Sequence, residues 1–174
     1  MKTKRINYIT KTAIIAALYA ALTLTLYPIS YGPRQFRISE MLCVLPFFLP
    51  EAIPGLFIGY ILANLLTPNF LIADVVFGSI ATLLAAYFTK KCNKLSFGKF
   101  IAPIPPIISN AGIVGAVITF STVQSGEVFL PMFITNFCLL FVSETAVLYT
   151  FGLALLFAYE KRLKNKTTFK GEEK

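Results

Sequence analysis

The sequence predicts an all-α protein: a single domain, residues 1–174, that forms an integral membrane bundle of six transmembrane helices with both termini in the cytoplasm. The chain is 56% hydrophobic and only 14% charged, and its mean hydropathy of +0.72 excludes a soluble domain of this size. Its long apolar runs lack two-residue alternation, which favours helices over a β-barrel. Basic residues flank these runs in three clusters, and their positions set the topology.

The first predicted helix covers residues 8–27. Its Lys/Arg-rich start is typical of a signal peptide, but the apolar run continues to Tyr27-Pro28 and has no small-residue cleavage site. We therefore expect a retained helix.

The basic clusters fix how many helices lie between them. Because positive residues favour the cytoplasmic side, each interval between clusters must contain an even number of crossings. Arg34 and Arg37 fall on the predicted outer side, against this trend. The three clusters are Lys2, Lys4, Arg5 and Lys11; Lys90, Lys91, Lys94 and Lys99; and Lys161, Arg162, Lys164, Lys166, Lys170 and Lys174.

The first interval contains three apolar runs, so one of them must cross twice. The middle run contains Pro46, Pro50 and Pro54, and proline interrupts helices. We split this run at Pro50-Glu51 into two pieces of about 17 to 23 Å, short enough to require short or tilted helices. The predicted helices after the first are 39–49, 52–66, 71–89, 100–120 and 129–158.

Four acidic residues lie in or beside the apolar runs, where a charge costs about 2.5 to 3.5 kcal/mol and usually marks a site. Solvation at a cytoplasmic turn, or a helix N-terminal position, explains Glu51, which we assign no ligand. Asp74 is either a first-turn carboxylate favoured by the helix dipole or part of an outer site. Glu144 is too deep for a cap and predicts a buried functional or paired role; Glu40 follows the loop with Arg37.

The predicted topology places several amides at a similar depth to Asp74, and together they predict a polar pocket open to the outside. These amides are Asn64, Asn110 and Asn136, beneath the loop that carries Gln35 and Arg37. Hydrogen bonds between helices are the alternative explanation for each asparagine. Phe133 and Phe137 on the last helix would suit a flat heterocycle, which needs stacking and in-plane hydrogen bonds.

Small residues recur at every fourth position on the first helix, at Ala13, Ala17 and Ala21. This spacing permits close helix approach. The stripe begins at the cytoplasmic end, so it is either a docking surface for another membrane subunit or an intramolecular contact.

Several segments resemble the QueT family over most of the chain. They are Tyr31-Gly-Pro-Arg-Gln-Phe-Arg-Ile-Ser-Glu40, Leu45-Pro-Phe-Phe-Leu-Pro-Glu-Ala-Ile-Pro-Gly55, Gly59, Ala63-Asn64, Asp74 and Gly78-Ser-Ile-Ala-Thr82. The stretch Gln35 to Glu40 is the most specific match. QueT proteins are regarded as substrate-binding S components of energy-coupling factor (ECF) transporters for queuosine precursors, 7-deazaguanine bases.

The resemblance implies a six-helix S component in the cell membrane, with a pocket near the outer face. It implies two kinds of partner besides the lipid bilayer: a transmembrane coupling subunit, contacted by the first-helix alanines, and two ATPases. It also implies a carboxylate that accepts the donors of the base, Glu144 or Asp74. The donors to the base would be Asn110, Asn136, Gln35 or Arg37, and the stacking residues would be Phe133 and Phe137. Alternatively, Arg37 and Glu40 pair with each other and only shape the loop.

Other functional classes are alternatives to an S component for queuosine precursors. A stand-alone ion-coupled carrier would use Glu144 as its protonatable group, an S component could bind another vitamin-like compound, and a structural subunit would bind no ligand. A membrane enzyme is disfavoured, because histidine is absent and no nucleophile with a base is recognisable. The three cysteines have no paired spacing, and no Gly-rich phosphate loop occurs. We expect no cofactor, no metal, no nucleic acid and no ATP hydrolysis by this chain.

Overall fold

The computed structural model describes residues 2–31, 36–68, 71–123 and 128–172. These residues form helices and turns, with no strand among them, so the predicted all-α fold is confirmed. By length and composition, four of the helices are apolar enough to cross a membrane, and two further apolar helices are shorter.

The described residues form six long helical segments, which we label α1 to α6. A short helical turn, Tyr27–Ser30, follows α1, and α5 is interrupted at Ala102 and Pro103. The segments are α1, Lys2–Thr25; α2, Ile38–Phe47; α3, Ala52–Leu65; α4, Asp74–Cys92; α5, Gly98–Thr122; and α6, built from Phe129–Val147, Leu148–Gly152 and Leu153–Glu172.

Segment α2 is a 3₁₀ helix of ten residues, whereas most 3₁₀ helices end after three or four. At about 2.0 Å per residue it extends roughly 20 Å. Side chains three residues apart eclipse one another in a 3₁₀ helix. This geometry places Arg37, which caps α2, on the same edge as Glu40 and Cys43.

Segments α1 and α3 pack backbone against backbone. A Cβ atom on Gly59 would lie 2.9 Å from the carbonyl oxygen of Ala16 and 2.8 Å from the Cβ of Tyr19. Gly55, one turn earlier, is similarly close to the carbonyl oxygen of Thr12. The small-xxx-small spacing of these two glycines thus lets α3 lie directly against α1 and buries Tyr19 and Tyr60 between the helices.

Contacts from all three basic clusters meet at one end of the bundle, which we call the basic end. Lys11 Nζ lies 2.8 Å from Glu51 Oε1, and Lys99 Nζ lies 2.7 Å from Glu160 Oε2. Between them, Asn93 Nδ2 donates to the carbonyl oxygen of Phe47 at 2.5 Å. Lys164 of α6 lies 3.2 Å from Glu160 Oε1, so Lys11 of α1, Lys99 of α5 and Lys164 share one end.

The outside of the bundle is apolar. Large side chains such as Leu18, Ile80, Val142 and Phe151 are exposed on different helices. A soluble monomer rarely exposes apolar area of this extent, whereas lipid-facing helices require it. Arg37, Glu40 and Glu144, by contrast, are buried inside the bundle.

Candidate functional site

Eight side chains form a polar group in the interior, which we call the central polar cluster. All six helices contribute side chains, and Arg37 is the residue that caps α2. The cluster consists of Tyr19, Arg37, Glu40, Cys43, Tyr60, Asp74, Asn110 and Glu144. Because ionisable groups at membrane depth are costly, their gathering marks a candidate site.

Arg37 joins α2, α3 and α4. Its Nη1 donates to Tyr60 Oη at 2.8 Å, and its Nη2 lies 3.4 Å from Asp74 Oδ2. Tyr60 Oη in turn donates to Asp74 Oδ1 at 3.0 Å. The guanidinium carbon lies 4.9 Å from the ring centroid of Tyr31 and 5.2 Å from that of Tyr60. Arg37 is thus fixed by an ion pair and two cation–π contacts, although it is only 5% exposed.

Gly78 gives Tyr60 its place in this arrangement. A Cβ atom at Gly78 would lie 2.1 Å from Tyr60 Oη, closer than any real contact. Only glycine therefore leaves room for the hydroxyl group between Arg37 and Asp74.

Glu40 accepts two hydrogen bonds on the edge of α2. Tyr19 Oη donates to Glu40 Oε1, and Cys43 Sγ donates to Glu40 Oε2 at 3.0 Å. The side chain of Glu40 is 1% exposed. The alternative prediction, an ion pair between Arg37 and Glu40, is replaced in the structure by the pair between Arg37 and Asp74.

Glu144 and Asn110 bring α5 and α6 to the same cluster. Asn110 Nδ2 donates to Glu144 Oε1 at 3.1 Å. Three buried atoms nearby have no hydrogen-bond partner among the described residues: Arg37 Nε, Asn110 Oδ1 and Glu144 Oε2. Buried polar atoms are nearly always partnered. One donor and two acceptors therefore remain for a ligand.

Three π-helical turns lie beside the cluster. One begins at Asp74 and a second at Asn110, while a third begins at Leu148, one turn after Glu144. Wide turns of this kind occur often at functional sites. Their coincidence with three polar residues of the cluster supports a functional interpretation of this region.

Other predicted site residues lie elsewhere. Asn64 accepts from Tyr31 Oη at 3.1 Å and donates to the carbonyl oxygen of Tyr60, and Asn136 donates to Thr119 Oγ1 at 3.0 Å. These amides have protein partners of their own. Gln35 lies outside the described residues.

The two predicted stacking residues belong to a row of aromatic rings along α6. The rings of Phe133 and Phe137 have centroids 6.0 Å apart, and both side chains are half-buried. Phe137 packs against an apolar group that contains Ala81, Ala111 and Leu140. This places Phe137 beside the helix that carries Asn110, on the same side of the bundle as the cluster.

The alanine stripe on α1 has two faces. Ala16 and Ala20 are buried, and Ala16 packs against α3. Ala13, Ala17 and Ala21 are exposed. The residues predicted as a docking surface therefore make up the outer face of α1.

A cleft of about 470 Å³ opens near the basic end, between α4 and α5. Its lining is almost entirely apolar and includes Phe88, Leu95, Ile104 and Ile108. It therefore lacks the directed polar groups of the central cluster.

Sequence reasoning missed Tyr19, Tyr60 and Cys43. The two tyrosines sit in the middle of apolar runs rather than at the ends, where membrane proteins concentrate aromatic residues. A buried tyrosine hydroxyl needs a hydrogen-bond partner. That requirement was the signal that could have linked them to the nearby ionisable residues.

The cluster can bind but shows no arrangement for covalent catalysis. Its arginine and carboxylates suit a polar ligand with both donors and acceptors. Among the described residues, no group of three or more His, Cys, Asp or Glu could hold a metal ion.

Comparison with known proteins identifies the family. Residues 9–161 match the model of the QueT transporter family. The chain is 44% identical over 86 residues to the queuosine precursor transporter QueT of Lactococcus lactis subsp. cremoris (strain MG1363). This match covers 48% of the chain and 50% of that relative. No solved structure matches the chain significantly.

The predicted family is thus confirmed by a match over most of the sequence. The family is one of transporters rather than enzymes, and the apolar helices agree with a membrane protein. This chain belongs to the QueT transporter family.

Proposed function

We propose that this protein is the substrate-specificity (S) component of an ECF-type importer and that it binds a queuosine precursor, 7-cyano- or 7-aminomethyl-7-deazaguanine. The observation that carries the proposal is the set of unpartnered buried atoms in the central polar cluster. Arg37 Nε is a donor, while Asn110 Oδ1 and Glu144 Oε2 are acceptors. The pyrimidine edge of a 7-deazaguanine offers one carbonyl acceptor and two N–H donors, which is the complementary set.

The ligand would enter from the end opposite to the basic end. Basic residues favour the cytoplasmic side of a membrane, so the basic end would face the cytoplasm together with both termini. The six helical segments would then cross the cell membrane, with α2 and α3 as short spans. Arg37 and Asp74 would lie in the outer half, within reach of a ligand outside the cell.

A coupling subunit and two ATPases would supply the energy for transport. The exposed positions Ala13, Ala17 and Ala21 support α1 as the surface for the coupling subunit. Replacing Ala17 with Leu should weaken co-purification with that subunit and leave ligand binding intact. Ala154→Leu, an exposed alanine on α6, is the matched control, and equal co-purification of both variants would remove this surface from the proposal.

Ligand binding is tested with the purified protein in detergent. A ligand that binds only the folded state adds about 2.7 kcal/mol of stability at a hundred times its Kd. We expect saturable thermal stabilisation by the two 7-deazaguanines and none by unrelated vitamins. Guanine is included to test whether the five-membered ring of the base affects binding. Glu144→Gln should abolish the effect.

The matched control is Glu160→Gln, which changes a carboxylate of the same helix at the basic end. It should keep the full ligand effect. If folded protein responds to no deazaguanine, the proposed substrate is wrong; if it responds to another vitamin-like compound, the S-component assignment survives with a different ligand.

A stand-alone carrier coupled to protons is the second candidate, because Glu144 Oε2 is a buried carboxylate oxygen without a partner. Uptake by cells that lack the ATPases distinguishes the two. Transport that persists and follows the pH gradient would favour the carrier, whereas transport that requires the ATPases would favour the S component.

A further inference from the structure

The apolar cleft between α4 and α5 is a fixed feature of the fold. Helix α5 is interrupted at Ala102 and Pro103, and Thr89 Oγ1 of α4 donates to the carbonyl oxygen of Ala102 at 3.1 Å. Thr89 and Ala102 are both fully buried. Gly98 begins α5 directly against the end of α4, since a Cβ atom there would clash with the carbonyl oxygen of Cys92. The two helices that form the cleft are therefore held in place at the turn and at the interruption.

The shape and the lining of the cleft suit an aliphatic chain. Its volume is about 470 Å³, and it follows α5 from Ile101 to Ser109, roughly 12 Å along a helix. Almost no polar group lines it, so a polar ligand would lose its hydrogen bonds with water there and gain few in return. Large apolar side chains of the lining are exposed, which leaves the cleft open along the side of the bundle: Phe88, Leu95, Ile104 and Ile108.

The cleft also has an unbalanced positive charge. Among the described residues, Lys91 is the only charged one that lines it, and its Nζ lies 4.5 Å from the ring centroid of Tyr87. Lys91 forms no ion pair with a described residue, and neither do its neighbours Lys90 and Lys94. The sequence contains no Asp or Glu between residues 75 and 126. An anion from outside the chain would therefore complement this end of the cleft.

We propose that the cleft binds one anionic phospholipid, whose acyl chain lies between α4 and α5 and whose phosphate group contacts Lys91. A lysine side chain can lie along apolar surface while its ammonium group stays at the membrane–water interface. Basic pockets between membrane helices on the cytoplasmic side are suited to anionic head groups. The proposal depends on the orientation in which the basic end faces the cytoplasm, but not on the compound that the central polar cluster binds.

The head-group contact is tested by native mass spectrometry of the full-length protein in detergent. Phosphatidylglycerol or phosphatidylcholine with identical acyl chains is added, so the two probes differ in net charge. We expect the protein to retain one phosphatidylglycerol about fivefold more strongly than phosphatidylcholine, the ratio that one lysine near an anionic head group provides. Lys91→Gln should remove this preference. Lys161→Gln, which changes an exposed lysine of α6, is the matched control and should keep it.

The acyl-chain contact is tested by filling the cleft. Ile104→Trp places a larger side chain in the middle of the lining and should lower the retention of both lipids. Val142→Trp makes the same kind of change at an exposed position of α6 and should leave retention unchanged. Ile104 is 39% exposed and Val142 is 67% exposed, so neither substitution overpacks the core.

Three outcomes would overturn the proposal. The first is equal retention of the two lipids by the wild-type protein, and the second is retention that neither Lys91→Gln nor Ile104→Trp changes. The third is a lipid-free dimer that Ile104→Trp disrupts and Val142→Trp does not, which would assign the cleft to contact between two copies of the chain. None of them affects the proposed queuosine-precursor site, because that ligand is measured separately at the central polar cluster.

Discussion

The basic end and the central polar cluster both contain carboxylates, but they differ in whether those carboxylates are paired with cations. At the basic end Glu51 pairs with Lys11 and Glu160 pairs with Lys99, and both lysines reach solvent. In the cluster Arg37 pairs with Asp74, whereas Glu40 and Glu144 have no ion pair among the described residues, and buried polar atoms there remain without partners. Both regions place charged residues in an otherwise apolar chain. Only at the basic end do the carboxylates described here each pair with a cation.

This difference separates topology from binding. A balanced, partly exposed pair contributes little energy and mainly holds the helix ends together at one end of the bundle. An unbalanced, buried group lowers stability unless something else is bound. Natural proteins keep such groups where a ligand completes them, so the imbalance itself identifies the candidate site.

The largest effect is expected from breaking the ion pair inside the cluster. Arg37→Met leaves Asp74 mostly buried without its cation and removes a hydrogen bond from Tyr60. We expect a loss of about 3 kcal/mol, at the lower end of the range for broken buried pairs because Asp74 keeps some exposure. Thermal unfolding in detergent measures it.

Lys99→Met is the matched control at the basic end. Its partner Glu160 remains partly exposed and near Lys164, so the loss should stay below about 1 kcal/mol. Equal losses in the two variants would show that the two regions do not differ as described.

The second effect comes from closing the space that Tyr60 occupies. In Gly78→Ala the new Cβ would meet Tyr60 Oη at 2.1 Å, so the ring must move away from Arg37 and Asp74. Overpacking of this kind costs about 1 to 3 kcal/mol. Thermal unfolding should show the loss, and affinity for the proposed deazaguanine ligands should fall with it.

Gly112→Ala serves as the comparison, because a Cβ atom there meets nothing within 4 Å. It should leave stability and ligand affinity nearly unchanged. A Gly78→Ala protein that behaves like Gly112→Ala would remove Tyr60 from the positioning of Arg37.

Much of the fold could be predicted from the sequence, because hydropathy and charge patterns extend over whole segments. Long apolar runs predict helices, and lysines mark their ends. The 3₁₀ geometry of α2 could not be predicted, since α and 3₁₀ helices share the same apolar composition. Its three-residue repeat is what lines up Arg37, Glu40 and Cys43 on one edge.

Individual residues of the site could be predicted from the sequence, but the contacts between them could not. Glu144, Asn110 and Asp74 stand out because each is costly in an apolar run. Their partners could not be assigned, since pairing depends on which helix faces which. Tyr19 and Tyr60 illustrate this limit: they were hidden among many aromatic residues, and only the close packing of α1 on α3 brings them to the cluster.

A third prediction concerns the sign of a carboxylate change. Glu144→Gln removes a buried carboxyl group that has no cationic partner among the described residues, while keeping the shape and one hydrogen-bond acceptor. The empty protein should become more stable, by up to about 2 kcal/mol. Thermal unfolding without ligand measures this.

Glu160→Gln provides the opposite sign, because it removes the partner of Lys99 and Lys164. Its stability should fall only slightly, because a solvent-exposed ion pair contributes little. A fall in both variants would mean that Glu144 is already balanced in the empty protein and would weaken the charge argument for the candidate site.

The smallest effect is expected at the pair Lys11–Glu51, and it depends on pH. Burial alone would raise the pKa of the Glu51 carboxyl, but the hydrogen bond from Lys11, helped by one from the Glu51 backbone N–H, lowers it below its ordinary 4.5. Because the pKa is lower in the folded protein than in the unfolded chain, the pair stabilises the fold above the ordinary pKa and loses that contribution as the pH falls through the folded value. Lys11→Met should therefore lower stability by less than about 1 kcal/mol at pH 7, and the difference from the wild-type protein should shrink below pH 4.5. Unfolding measured at both pH values decides the point: a difference that does not change with pH would show that Lys11 acts through packing of its aliphatic stem rather than through the charge of Glu51.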